Sequence, residues 1–181
     1  MSRLQQCARI IFGAVAFALS AVSLANASSL GAGTAAFGRE DYVTAAVILG
    51  PLAEHGVAKA QTHLGFMYAH GRGVPQSYVE AARWYCRAAA QDEATAQYML
   101  GLQYDKGQGV SENRIEAHKW LNLAAAHAPR SDREDWVRIR DAIGSKMTLA
   151  QLAEARRRAI EWRPWRNAGG RMGPVVCDHL Y

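Results

Sequence analysis

The sequence lacks the short motifs that mark common catalytic sites. It contains no G-x-S-x-G, S-x-x-K, H-E-x-x-H or C-x-x-C segment. Two Gly-x-Gly turns, at 71–73 and 107–109, lack the third glycine and the preceding strand of a phosphate loop. Five of the six histidines are scattered along residues 55–127 and are expected to act singly: His55, His63, His70, His118 and His127. We therefore predict no enzyme activity, no metal site and no cofactor.

The sequence also lacks a large excess of charge of either sign. The formal net charge of the 181 residues is +5, and it falls to +3 without Arg3 and Arg9 near the N-terminus. So small a charge gives no indication of nucleic-acid binding. Arginines do cluster near the C-terminus, around Trp162 and Trp165: Arg156, Arg157, Arg158, Arg163, Arg166 and Arg171. This end is either the solvated face of a last helix or a surface for an acidic protein, anionic lipid or cell-wall polymer.

The sequence has a single long apolar run, from Ile10 to Leu24. Its 15 residues fall short of the ~17–25 that span a bilayer. Arg3 and Arg9 precede the run, and the small-residue sequence of 25–27 follows it, which is the order of a secretory signal peptide. We predict a cleavable signal over residues 1–27, a periplasmic or secreted protein, and no transmembrane segment in the mature chain. An anchor that stays uncleaved is the alternative.

Cysteine is rare, with three residues in the chain. Cys7 falls within the predicted signal, which leaves Cys86 and Cys177 in the mature protein. An oxidising compartment allows these two to pair, and in the chain-entropy model so long a loop contributes ~4–5 kcal/mol. The alternative is a buried Cys86 that packs as a small apolar residue, with Cys177 as a free thiol.

An internal repeat is the dominant feature of the sequence that remains. The segment Leu64–Tyr68 with Gly71 and Gly73 returns 36 positions later as Leu100–Tyr104 with Gly107 and Gly109. Four further positions follow at the same offset, Ala81, Trp84, Ala88 and Ala89 matching Ala117, Trp120, Ala124 and Ala125. A fixed period of 20–50 residues is typical of a solenoid, in which each unit buries its apolar face against its neighbours.

Each repeat reads as two helices, A and B, joined by a tight turn. Small and apolar residues of helix A recur on one helical stripe, and Gly71 and Gly107 stand where that helix must end. Gly65 and Gly101 in mid-helix indicate close packing against another helix. Helix B starts after an N-cap residue at the same period, Asp41, Ser77 and Asn113. The acidic residues three positions after Ser77 and Asn113 resemble capping boxes.

The predicted domain organisation follows from this register. A partial repeat covers residues 31–57, full repeats cover 58–93 and 94–129, and a terminal helix pair covers 131–163. Capping boxes are expected at Ser131 and Thr148, and the last helix is expected to bury a stripe that includes Leu149 and Ile160. Together, residues 28–165 form one helical domain, and residues 166–181 are predicted to be a flexible tail.

The repeated frame A-x-x-x-L-G-x-x-Y-x-x-G-x-G-V, followed by A-x-x-W and A-A, resembles the Sel1-like repeat, a relative of the tetratricopeptide repeat. The resemblance implies an all-α, right-handed α/α superhelix of helix pairs. It implies a non-enzymatic scaffold or adaptor for protein–protein interactions, with envelope signalling or polysaccharide export as typical roles of periplasmic members. Helix A lacks the paired cysteines of one secreted branch, so the affinity of that branch for penicillin-like compounds is not carried over. A cell-wall or β-lactam hydrolase is the alternative class.

Helix A also predicts the surface that a partner would contact. One face, distinct from the packed stripe, carries side chains at the same register in both repeats, and in the related tetratricopeptide fold this face lines a concave groove. The six candidate partner-binding residues are Thr62, Phe66, His70, Tyr98, Leu102 and Lys106. We expect a peptide or helix of another protein to lie there. The alternative is that Phe66 and Leu102 simply pack between adjacent helices.

Overall fold

A computed structural model describes residues 27–164, and these residues form eight helices and no strand. Helix α1 covers residues 27–38. The others are α2 (Tyr42–Glu54), α3 (Ala58–His70), α4 (Tyr78–Ala89), α5 (Ala94–Lys106), α6 (Arg114–His127), α7 (Arg133–Gly144) and α8 (Leu149–Glu161). The predicted signal, except for its last residue, and the predicted tail lie outside the described residues.

The helices pack in chain order, as in an α/α solenoid. Within each repeat α3 packs on α4 and α5 on α6, while α2 with α3 and α4 with α5 join one unit to the next. The buried clusters follow this order and cross the repeat boundaries, so that Leu49 and Trp84 share one cluster and Tyr85 and Trp120 share the next. The core is therefore a continuous strip along the helix pairs, as expected for repeats that bury apolar surface only against neighbours.

The N-caps confirm the register of helix B. Asp41 Oδ1 accepts a hydrogen bond from the backbone N–H of Thr44, and Ser77 Oγ accepts one from Glu80, both at 3.2 Å. Asn113 caps α6 in the same way. The second half of each expected capping box is absent, because the backbone N–H groups of Ser77 and Asn113 donate instead to the carbonyls of Tyr68 and Tyr104, both at 2.9 Å. These bonds tie the start of each B helix to the A helix before it.

Glycine serves the two purposes that the sequence indicated. Gly71 and Gly107 end α3 and α5 in the left-handed conformation, each with φ of +64°. At Gly65 a Cβ would lie 2.6 Å from the ring of Tyr85, and at Gly101 it would lie 2.8 Å from Leu121. Helix B therefore approaches helix A too closely for any side chain at these positions.

The two terminal helices differ from the expectation. Each packs mainly against α6. The Ser131 capping box is wrong, because α7 starts at Arg133 after a turn and has no side-chain cap, whereas the full box at Thr148 is confirmed. The predicted stripe of α8 is also wrong in part, since Leu149 and Ile160 are 87% and 76% exposed. Ala159 of the predicted stripe is buried, together with Ala155, where α8 packs against α6.

Candidate functional site

Two adjoining cavities open between α3 and α5, and we call them together the α3–α5 groove. The first, about 380 Å³, lies between α1, α3 and the start of α5. The second, about 570 Å³, lies toward the C-terminal ends of α3 and α5. Phe66, Tyr85 and Met99 line both cavities and mark their junction. All six predicted partner-binding residues line one cavity or the other: Thr62 and Phe66 the first, and Phe66, His70, Tyr98, Leu102 and Lys106 the second.

The first cavity has an aromatic wall. Phe37 of α1 meets Phe66 edge-on with ring centroids 5.2 Å apart, and it contacts the His63 ring at 4.3 Å. His70 stacks on Phe66 from the other side at 4.2 Å. Phe66 is held in place by these contacts and is still only half-buried. It therefore does both things that the sequence left open, packing between helices and presenting a free apolar face.

Thr62 has a structural role that the sequence did not indicate. It is 9% exposed, and its hydroxyl lies 3.0 Å from the carbonyl of Ala58 and 3.0 Å from a carboxylate oxygen of Glu93. The same Glu93 carboxylate caps α5 by accepting the N–H of Ala96 at 2.6 Å. Thr62 thus helps to fix the start of α5 against α3, and its hydroxyl is already occupied.

The wall of the second cavity on α5 is amphipathic. Leu102 is half-buried, Lys106 is exposed, and Tyr98 stacks on Trp136 of α7 at 4.7 Å. Burial raises the pKa of Tyr98, with a smaller contribution from the nearby carboxylate of Asp135. Tyr98 also borders a third cavity of about 620 Å³ on α7. The three cavities thus form a surface that continues from α1 past α3 and α5 to α7.

Sequence reasoning missed two residues of the groove floor, Tyr85 and Gln103. Tyr85 comes from helix B, and its ring reaches the groove because Gly65 leaves room for it. The tyrosine stands where the neighbouring repeats have Leu49 and Leu121, and Gln103 stands where the previous repeat has Met67. A comparison of buried positions at the 36-residue offset could therefore have found both residues.

The described histidines act separately. Burial and the neighbouring Lys59 charge lower the pKa of His63. Burial also lowers the pKa of His118 inside the α6 packing, and Arg140 and Arg156 add to this effect. Within residues 27–164 no group of three or more histidine, cysteine, aspartate and glutamate side chains is arranged to hold a metal ion.

Two arginines of the C-terminal end, Arg157 and Arg158, are paired within the fold. Arg157 pairs with Glu154 and Glu161, and Arg158 bridges Glu154 and Glu116. Trp162 packs edge-on against the buried Trp120 of α6, with centroids 4.8 Å apart. Such pairs leave less charge for a partner. Trp165, Arg166 and Arg171 lie outside the described residues.

Cys86 is buried in α4 and is disulfide-bonded. Both other cysteines, Cys7 and Cys177, lie outside the described residues, so the pairing of Cys86 with Cys177 stays a prediction. Trp162, near the end of the described chain, contacts the core cluster that contains Cys86. Among residues 27–164, none of the helices has the length and apolarity needed to cross a membrane.

Comparison with known families decides the nature of the repeats. The model of the Sel1 repeat matches residues 58–93 and 94–128, which are the α3–α4 and α5–α6 units. Two consecutive segments of the chain thus match the Sel1 repeat. Sel1 repeat proteins generally mediate protein–protein interactions and are typically non-catalytic scaffolds. No curated protein matches the chain.

Two solved structures are similar to it. A Sel1 repeat protein from Oxalobacter formigenes is 35% identical with a TM-score of 0.53, over 55% of this chain and 39% of that protein. A protective antigen of uropathogenic Escherichia coli strains, which displays an SLR fold, is 26% identical with a TM-score of 0.67, over 74% of this chain and 29% of the antigen. The Sel1 repeat chain therefore spans less than half the length of either protein. The resemblance in repeat and fold is confirmed.

Proposed function

We propose that this Sel1 repeat protein is a non-enzymatic, exported adaptor that holds a peptide segment or helix of another protein in the α3–α5 groove. The observation that carries the proposal is the half-buried apolar lining of that groove. Phe66 and Leu102 are only half-buried by their packing contacts. Phe66 lines both cavities, and Leu102 lines the second. Cavities of ~300–1,000 Å³ with apolar walls and a few polar groups are the usual form of a binding site.

The chemistry of Cys86 supports an exported location. Disulfides persist in the periplasm and outside the cell and are rare in the cytosol. Because Cys86 is disulfide-bonded, an oxidising compartment fits this chain better than a reducing one. The signal-like residues 1–27 point the same way. Roles in envelope signalling or polysaccharide export belong to this proposal as the settings in which such an adaptor would act.

Cross-linking in the native periplasm tests the proposal. The tagged protein should capture a specific protein, and a Phe66→Ser, Leu102→Ser double variant should lose it. Loss of the Phe66 ring contacts lowers the melting temperature of this variant, so its circular dichroism at the capture temperature must match that of the wild type. Val43→Ser with Val47→Ser is the matched control, because these two valines of α2 are 66% and 71% exposed and lie outside the groove. Equal capture by all three proteins would reject the groove as the binding surface.

A high-salt wash of the complex, captured without cross-linker, separates this surface from the arginine-rich end. Contacts of exposed charges weaken with salt, whereas an apolar contact persists. Capture through the groove should therefore survive the wash. Capture that is lost in salt and unchanged in the Phe66 and Leu102 variant would move the function to the C-terminal end.

A further inference from the structure

Two side chains that line the second cavity each carry a buried polar atom without a hydrogen-bond partner among residues 27–164. Tyr85 is 1% exposed and Gln103 is 4% exposed. Within residues 27–164, neither the Tyr85 hydroxyl nor the Gln103 side-chain carbonyl has a hydrogen-bond partner. Both side chains line the cavity between α3 and α5. A buried polar atom without a partner costs ~1–3 kcal/mol, so each needs an explanation.

The repeat itself shows that these polar groups are not required for folding. Leu49 and Leu121 fill the Tyr85 position in the neighbouring units and are fully buried. Met67, also fully buried, fills the Gln103 position in the repeat before. An apolar side chain thus satisfies the same packing. The two polar replacements occur together, and both meet at one cavity.

We propose that Tyr85 and Gln103 recognise the main chain of an extended, acidic peptide segment of the partner protein. This inference rests on the proposed function and names the chemistry of the segment that the groove holds. A hydroxyl donates to a carbonyl and a side-chain carbonyl accepts an N–H, so together they match one peptide group. The apolar walls, Phe66, Met99 and Leu102, suit an apolar side chain next to that group.

Charge around the cavity selects the acidic class. The ammonium of Lys106 lines it, and none of the described lining residues carries a carboxylate. Lys59 and Glu93 both line the first cavity, and the Glu93 carboxylate is already bound by Thr62 and the α5 cap. A peptide with glutamate or aspartate beside its apolar residue is complementary to this lining, and a basic peptide is not.

Capped heptapeptides with a central leucine provide the probe. Three series carry glutamate, glutamine or lysine on both sides of the leucine, and the affinity of the mature protein for each is measured by fluorescence polarisation. We expect the glutamate series to bind most tightly and the lysine series least. Tyr85→Phe and Gln103→Met should each weaken the glutamate series by roughly threefold to tenfold, the effect of one lost hydrogen bond. N-methylation of the central amide should do the same.

The controls separate recognition from packing. Tyr85→Phe removes a hydroxyl that has no partner among residues 27–164, so the melting temperature should stay equal or rise while affinity falls. Tyr104→Phe removes a hydroxyl from α5 outside both cavities and should leave affinity unchanged. Equal affinity of Tyr85→Phe and wild type, binding by no series, or preference for the lysine series would overturn the inference.

Partner capture distinguishes this failure from failure of the proposed function. If the natural partner is retained by a Tyr85→Phe, Gln103→Met double variant but lost by the Phe66 and Leu102 variant, the groove is the binding surface and the main-chain recognition is wrong. If both double variants retain the partner, the groove itself is wrong.

Discussion

Replacing Gly109 by alanine tests how one repeat is joined to the next. Gly109 lies in the turn after α5 with φ of +73°, and its Cα faces the first turn of α4 in the preceding unit. A Cβ there would overlap the Tyr78 carbonyl and lie 2.7 Å from the backbone nitrogen of Val79. The obstacle is helix backbone, which cannot turn aside as a side chain can. The turn and α4 must therefore separate.

The magnitude has two parts. A left-handed conformation costs an alanine ~1–2 kcal/mol. Overpacking against neighbours that must shift costs a further ~1–3 kcal/mol. Gly109→Ala should therefore lower the free energy of unfolding by ~2–5 kcal/mol, a large share of the ~5–15 kcal/mol of an ordinary domain.

Gly107→Ala in the same turn is the matched control. Gly107 has φ of +64°, so it carries the same conformational cost, but the nearest atom to its Cβ lies 3.5 Å away, an ordinary contact. It should cost only ~1–2 kcal/mol. Urea unfolding of the mature protein, followed by circular dichroism at 222 nm, gives both values. Equal losses in the two variants would refute the close approach between repeats.

Three further predictions concern Thr62, two histidines and the Cys86 disulfide. Thr62→Val should lower the free energy of unfolding in urea by ~1–2 kcal/mol, because the Glu93 carboxylate loses a partly buried hydrogen bond. The free energy of unfolding should fall as pH drops below the ordinary histidine pKa of 6.5. The pKa values of His63 and His118 are lowered in the fold, so the unfolded chain takes up these protons first. A His63→Gln, His118→Gln double variant should show a weaker dependence of stability on pH. Reduction should lower the melting temperature of the wild type but not of Cys86→Ala, since the disulfide restricts the unfolded chain; an unchanged wild-type value would contradict this.

The sequence predicted the helices well because their signals are local. An N-cap such as Ser77 needs only the next few backbone N–H groups, and a glycine such as Gly71 ends a helix by its own conformation. Repetition strengthened each signal by showing it twice. Outside the repeats the same capping pattern was wrong at Ser131, because a turn after α6 delays the start of α7, and correct at Thr148.

The candidate site was predicted only in part. The register of helix A placed Phe66 and Leu102 on the face that lines the groove, since residues three, four and seven apart share one side of a helix. The same argument placed Thr62 with them as a contact residue, whereas Glu93 occupies its hydroxyl. A helical period gives the direction of a side chain but not the partner that comes from another repeat.

The sequence by itself determined the repeat, its helix pairs and the face that each A helix turns toward the groove, because these depend on spacings within 36 residues. Tertiary structure alone decided which atoms meet across the units. Tyr85 reaches the groove floor through the space at Gly65, and its hydroxyl finds no partner among residues 27–164. Such contacts depend on how closely two helices approach, a distance that packing sets and that no single repeat encodes.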